Sequence, residues 1–144
     1  KVLILGSFPS VKSRETEFFY GHLRNRFWQV TAAVFDEPVP VTVKEKKEFL
    51  KRNHIALWDS IASLDIIGSS DSSIRNAVPT DLLKVIDGSK VTKVFCNGTT
   101  SYRYYEKYQE KTLGIKAVKM PSTSPANAAW SLSRLVDAWR IINE

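Results

Sequence analysis

Short, unbroken apolar runs alternate along this chain with longer stretches whose apolar residues recur every three or four positions. The runs are Val2-Leu3-Ile4-Leu5, Ile55-Ala56-Leu57-Trp58, Val91 to Phe95 and Ile115 to Met120. Each has the length of a strand, and an uninterrupted apolar run suits a strand buried on both faces of a parallel sheet. Between the runs, Trp28, Thr31, Ala32 and Phe35 fall on one face of a helix that Pro38 and Pro40 bring to an end. Thr42 followed by Glu45 forms a capping box for a Lys/Glu-rich, largely solvated helix reaching about Asn53. Leu82, Leu83 and Ile86 after Pro79 predict a short helix stopping near Gly88; Tyr102, Tyr105 and Tyr108 predict another. Leu132, Leu135, Val136, Trp139 and Ile142 predict an amphipathic closing helix. Lys116 and Lys119 inside the last apolar run mark an edge strand. The Ser-rich stretch from Ser60 to Asn76 is punctuated by Ile61, Ile66, Ile67 and Ile74, so it reads as an ordered excursion over the top of the sheet. Strands alternating with helices predict an α/β fold with the sheet between two helix layers.

Composition narrows the class. A chain of 144 residues, 43% hydrophobic and 25% charged, is sized for one domain with a full core, spanning 1–144. Lys and Arg exceed Asp and Glu by 21 − 15 = +6, which favours a polyanionic partner without establishing one. Cys96 is the only cysteine, so an internal disulfide and a two-cysteine metal site are both excluded. That fits a reducing compartment, and a cytoplasmic location is expected. There is no apolar run of membrane-spanning length and no signal-peptide pattern, so neither insertion nor secretion is expected. The chain opens almost directly on a strand, and a few residues are expected to precede it.

Ligands of open α/β sheets sit at the carboxyl ends of the strands. The loops expected there begin at Gly6, at Asp59 and at Pro121, and they hold most of the unusual residues. The densest cluster, Tyr20-Gly21-His22-Leu23-Arg24-Asn25-Arg26-Phe27-Trp28, brings aromatic rings, guanidinium groups, an imidazole and a carboxamide to the mouth of the first predicted helix. Such a set suits an unstacked nucleobase beside a sugar-phosphate backbone. The simpler alternative is a basic helix N-terminus with Phe27 and Trp28 in the core.

Four pieces in order, Gly6-Ser7-Phe8-Pro9-Ser10, His22 through Asn25-Arg26-Phe27-Trp28, Ser69-Ser70-Asp71-Ser72-Ser73-Ile74-Arg75-Asn76 and Ser122-Thr123-Ser124-Pro125-Ala126-Asn127-Ala128, resemble the uracil-DNA glycosylase superfamily. Within it the chain looks most like the hypoxanthine (deoxyinosine) DNA glycosylase branch, over nearly its whole length. The resemblance implies a three-layer α/β/α sandwich around a four-stranded parallel sheet, with a flipped-base pocket over the carboxyl ends. It also implies hydrolysis of an N-glycosidic bond without metal or cofactor, by a monomer acting on double-stranded DNA containing a deaminated base. Phe8 stands where uracil-removing relatives place an Asp or Asn that orients water, and Ser122 where they carry a His that bonds the departing base. In the hypoxanthine branch the Asn of the Asn-Arg-Phe-Trp motif takes over catalysis, which carries onto Asn25. Many relatives have Pro after the motif's His, where this chain has Leu23, so the turn there departs from the family pattern.

The remaining expectations follow the same match. Asn25 either orients water through its C=O, donates its N–H to the leaving base, or only caps its helix. Tyr20 either stacks on the extruded base or packs in the core. Asp59 sits where uracil enzymes carry an Asn that reads the base edge; a carboxylate there would accept from N1–H of hypoxanthine, or else cap the next segment. With Phe8 and Ser122 these make up the expected base site. Ser10, His22, Arg24, Arg26, Arg75, Ser124 and Asn127 are the expected contacts to the DNA backbone, against loop stabilisation for His22, ordinary surface charge for the arginines and a helix cap for Asn127. Nothing near Lys12 points to a Schiff base, so no β-lyase activity is expected.

Overall fold

A computed structural model describes residues 2–6, 20, 25–59, 61–65, 75–79 and 91–143, with the backbone alone at 59, 61–65 and 75–79. Four strands, β1 (Val2–Gly6), β2 (Ile55–Asp59), β5 (Lys93–Asn97) and β6 (Ala117–Met120), form one sheet in the order β2-β1-β5-β6. All three pairings are parallel. β1 lies in the interior of the sheet and is buried at every position, as its uninterrupted apolar sequence requires. β6 lies at one edge, where Lys116 and Lys119 place it. β2 lies at the other edge, and this corrects the expectation of a fully buried run there: Trp58 is 43% exposed.

Alternation along the strands builds two cores. Val2 and Ile4 of β1, Ile55 and Leu57 of β2, Phe95 of β5 and Met120 of β6 face one side. There they meet helices α1 (Phe27–Val34), α2 (Val43–Arg52) and α5 (Leu132–Trp139) through Phe27, Trp28, Phe49, Leu135 and Trp139. Phe27 is the hub of this core, edge-on to Trp28 at 4.9 Å and to Trp139 at 5.9 Å, the geometry that the ring quadrupole favours. Leu3, Leu5, Val94 and Cys96 face the other side and pack on Tyr105 of helix α3 (Thr99–Tyr108). Helices on both faces of a parallel sheet give the expected three layers.

Helix boundaries follow local chemistry. Thr42 and Glu45 exchange both bonds of the capping box at the start of α2. Ser131, not Asn127, caps α5 by accepting from the Arg134 N–H. α1 ends one residue before Phe35, and Asp36 follows in a left-handed turn at φ 55°. The short helix α4 (Glu110–Leu113) leads to β6, and a 3-10 turn (Arg140–Asn143) extends α5 and buries Ile142. An antiparallel ribbon of β3 (Ile61–Asp65) and β4 (Arg75–Pro79) occupies part of the Ser-rich stretch. The helix expected after Pro79 lies outside the described residues.

Candidate active site

The carboxyl ends of the four strands bring Gly6, Asp59, Asn97 and Met120 to one end of the sheet, and the register sets Gly6 beside Asp59 and Asn97 beside Met120. Two further segments arrive at this end: the N-terminus of α1, preceded by Asn25 and Arg26, and the loop from Pro121 to Ser131 that follows β6. Backbone bonds join them. The Arg26 N–H donates to the Thr123 carbonyl at 3.1 Å, and the Gly98 N–H donates to the Met120 carbonyl at 3.0 Å. Gly98 holds φ +97°, and a Cβ there would come within 3.3 Å of the Ser122 Cβ. Only glycine lets the β5–α3 turn run this close beneath the last loop.

A chain of neutral side chains crosses the junction. Asn97 grips Thr123 twice: its Oδ1 accepts from the Thr123 backbone N–H at 3.0 Å, and its Nδ2 donates to Thr123 Oγ1 at 2.9 Å. The Thr123 hydroxyl then donates to Asn25 Oδ1 at 2.9 Å. The same oxygen also accepts from the Phe27 backbone N–H at 2.9 Å, closing a turn at the mouth of α1. Thr123 is fully buried, and Asn25 and Asn97 are half-buried. The N-cap of α1 is Arg26, with no side-chain cap bond, so Asn25 is not the cap residue; its turn-closing bond and a chemical role use different halves of one amide. The carbonyl half is held by two donors, and the N–H2 half has no partner among the described residues.

The other expected residues divide. Arg26 directs its guanidinium inward, donating to the Asn127 carbonyl at 3.1 Å and to the Trp130 carbonyl. This clamps the last loop to α1, so a phosphate contact would have to use its remaining N–H groups. The loop is also braced within itself. Ser122 Oγ accepts from the Ser124 N–H, Ser124 Oγ accepts from the Ala126 N–H, and Asn127 Nδ2 donates to the Ser122 carbonyl at 3.0 Å. Trp139 reaches up from the core and donates Nε1–H to the Pro121 carbonyl at 3.0 Å. Tyr20, at φ 54°, stacks on Phe27 with ring centroids 4.0 Å apart and planes 18° from parallel. That packing leaves at most one ring face for a base. Asp59 and Arg75 are placed by backbone alone, at the carboxyl end of β2 and the start of β4. Phe8, Ser10, Lys12, His22 and Arg24 lie outside the described residues.

Asn97 and Thr123 are the residues to which reading the sequence assigns no role. A usable signal is present: an Asn directly before Gly at the carboxyl end of a strand is poorly explained by packing. Cys96, next to it, is wholly buried, and burial pushes its thiol up to about 12, so it offers no nucleophile here.

A sequence model described as the Uracil DNA glycosylase superfamily matches residues 1–143. A hypoxanthine DNA glycosylase of Methanosarcina acetivorans is 30% identical over 135 residues, covering 93% of this chain and 85% of that protein. A hypoxanthine DNA glycosylase of Methanosarcina barkeri is 34% identical over 77 residues, covering 53% of this chain and 49% of that protein. Among solved structures, the solution NMR structure of a candidate uracil DNA glycosylase from Methanosarcina acetivorans matches with a TM-score of 0.81 at 28% identity, over 100% of this chain and 91% of that one.

Proposed function

The chain belongs to the uracil DNA glycosylase superfamily, and from that premise we propose that it is a monofunctional glycosylase that removes hypoxanthine from deoxyinosine in double-stranded DNA. The observation that carries this reading is the Asn25 amide, anchored through its oxygen at the carboxyl end of the sheet with its N–H2 left over. Breaking the C1′–N9 bond leaves an oxocarbenium-like sugar and a purine anion. The site must therefore accept negative charge on the departing base and admit one water. A held amide N–H2 is a donor of the right kind for that anion, and the N-terminal end of α1 adds a favourable partial positive charge. The names of the two Methanosarcina relatives support hypoxanthine as the base.

Recognition is assigned on the family match and on the backbone position of Asp59. With the base swung out over the carboxyl ends, Asp59 sits beside Gly6 in register, which suits a carboxylate reading N1–H of hypoxanthine and rejecting the N1 lone pair of adenine. On the family match, Tyr20, Phe8 and Ser122 are assigned to the base. Ser10, His22, Arg24, Arg75, Ser124 and Asn127 contact the backbone. The reaction uses neither metal nor cofactor, and the enzyme acts as a monomer.

Duplexes carrying a single deoxyinosine, deoxyuridine or deoxyxanthosine, incubated with the protein and then cleaved with alkali at abasic sites, test the assignment. Strand scission with deoxyinosine well ahead of the other two is the expected result. Scission led by deoxyuridine would favour the uracil activity named for the NMR neighbour. Binding with no scission on any duplex would leave a lesion-binding module in place of an enzyme. Asp59→Asn should narrow the preference for deoxyinosine over deoxyadenosine, and an unchanged ratio would remove Asp59 from recognition.

A further inference from the structure

The chain from Asn97 through Thr123 to Asn25 has a fixed direction, and that direction bears on what Asn25 can do. A backbone N–H can only donate. The Thr123 N–H therefore assigns the facing atom of Asn97 as its oxygen, which turns the Asn97 N–H2 onto Thr123 Oγ1. A hydroxyl that accepts there has its single proton left to give, and gives it to Asn25 Oδ1. At the far end the Phe27 N–H makes the same assignment independently, since flipping the Asn25 amide would set N–H2 against N–H. Both ends thus agree on which half of Asn25 is oxygen. An amide oxygen has two lone pairs, and both are taken.

We propose that Asn97 and Thr123 are positioning residues that hold the Asn25 amide in one orientation, so that Asn25 works as a hydrogen-bond donor to the leaving purine and not as an acceptor that orients water. The inference rests on the glycosylase reading given above. Thr123 is fully buried, so its hydroxyl has no water to turn to, and losing either partner costs it the bond outright. Preorganisation of this kind is most effective where charge develops, because the donor need not reorient as the bond breaks.

Single-turnover release of hypoxanthine, equilibrium binding of the deoxyinosine duplex and thermal melting, measured on the same variants, test the proposal. Thr123→Val keeps the shape and removes the hydroxyl; its release rate should fall about 10- to 100-fold, the scale of a small misplacement of a reacting group, with duplex affinity within about threefold. Thr123→Ser should recover most of that rate. Asn97→Asp keeps the acceptor for the Thr123 N–H but offers the hydroxyl an acceptor where it had a donor. The hydroxyl proton is drawn away from Asn25, and the rate should fall as in Thr123→Val. Wild-type release with unimpaired Thr123→Val and Asn97→Asp overturns the relay alone. A loss shared equally by rate, binding and melting temperature, or no recovery in Thr123→Ser, also overturns it, because those outcomes describe scaffolding. Wild-type protein that releases no base from any of the three lesions overturns the glycosylase reading as well.

Discussion

Helix α1 carries a polar cluster at each end, and the two are built on different principles. At its N-terminus Asn25, Thr123 and Asn97 are neutral, joined in one direction and tied to backbone N–H groups. Beyond its C-terminus Glu37 is bonded by Arg52 Nε at 3.1 Å and by Asn53 Nδ2 at 2.8 Å, a charged cluster with the Arg52 side chain 57% exposed. Water competes for both Arg52 bonds of the second cluster, whereas the first is centred on the fully buried Thr123 hydroxyl. The first can therefore specify the orientation of an atom, while the second contributes a little stability and no precision.

The sharpest way to break the contrast is at Asn25. Asn25→Ala should lower single-turnover release of hypoxanthine about 100- to 1000-fold, the range seen when one donor to a developing anion is removed. Asn25→Asp separates the two possible uses of the amide. It preserves an acceptor for Phe27 and Thr123 and replaces N–H2 with oxygen, so a donor role predicts a loss as severe as that of alanine. Retained or increased activity in Asn25→Asp would show the side chain acting on water through its oxygen.

Arg26 tests whether the loop clamp belongs with the buried cluster or with DNA. Its guanidinium donates to the Asn127 and Trp130 carbonyls, and hydrogen bonds to a charged group are worth about 1.5–3 kcal/mol. Arg26→Met should lower unfolding free energy by roughly that amount in urea, leaving the salt dependence of duplex binding unchanged. A phosphate contact predicts the reverse: intact stability and a shallower slope of log K against log salt, by about one.

How far these residues can be read from sequence depends on the range of the interaction that defines them. The four strands, the Thr42–Glu45 box and the edge position of β6 are local or nearly local properties, so apolar runs, a three-residue spacing and two lysines were sufficient. Asn25 stands out in the sequence through its motif, and the structure adds which atoms hold its oxygen. Asn97 and Thr123 are 26 positions apart, and Thr123 is 98 from Asn25. Their meaning arises only when parallel pairing of β5 with β6 aligns the strand ends. The hydrogen bond from Arg26 to the Trp130 carbonyl is equally non-local, which is why a basic residue beside a DNA motif reads as a phosphate contact. The strand pair β3 and β4 escaped because its two five-residue strands mix apolar and polar positions without clean alternation and its ladder is irregular, with register shifts between its pairs. Trp58 was misjudged because an apolar run does not reveal which strands lie at the edges.

The smallest effect belongs to the charged end of α1, and its pH dependence has a definite sign. The Arg52 hydrogen bond, with help from Asn53, holds the Glu37 carboxyl below its ordinary 4.5, against a smaller opposing effect of burial. A carboxylate whose folded-state value is depressed stabilises the fold fully above the unfolded value. Its contribution is lost as pH falls through and below about 4.5. Glu37→Gln should therefore cost about 0–1 kcal/mol at neutral pH, the range for exposed ion pairs. The difference from wild type should shrink toward zero as urea unfolding is repeated at progressively lower pH, and should also shrink in high salt. A difference that does not shrink at all as pH falls below 4.5 would mean that Glu37 acts through packing and not through charge. Release of hypoxanthine should be unaltered in this variant, because α1 joins the two clusters only through a rigid core, and a screened surface pair has no means of turning the Asn25 amide.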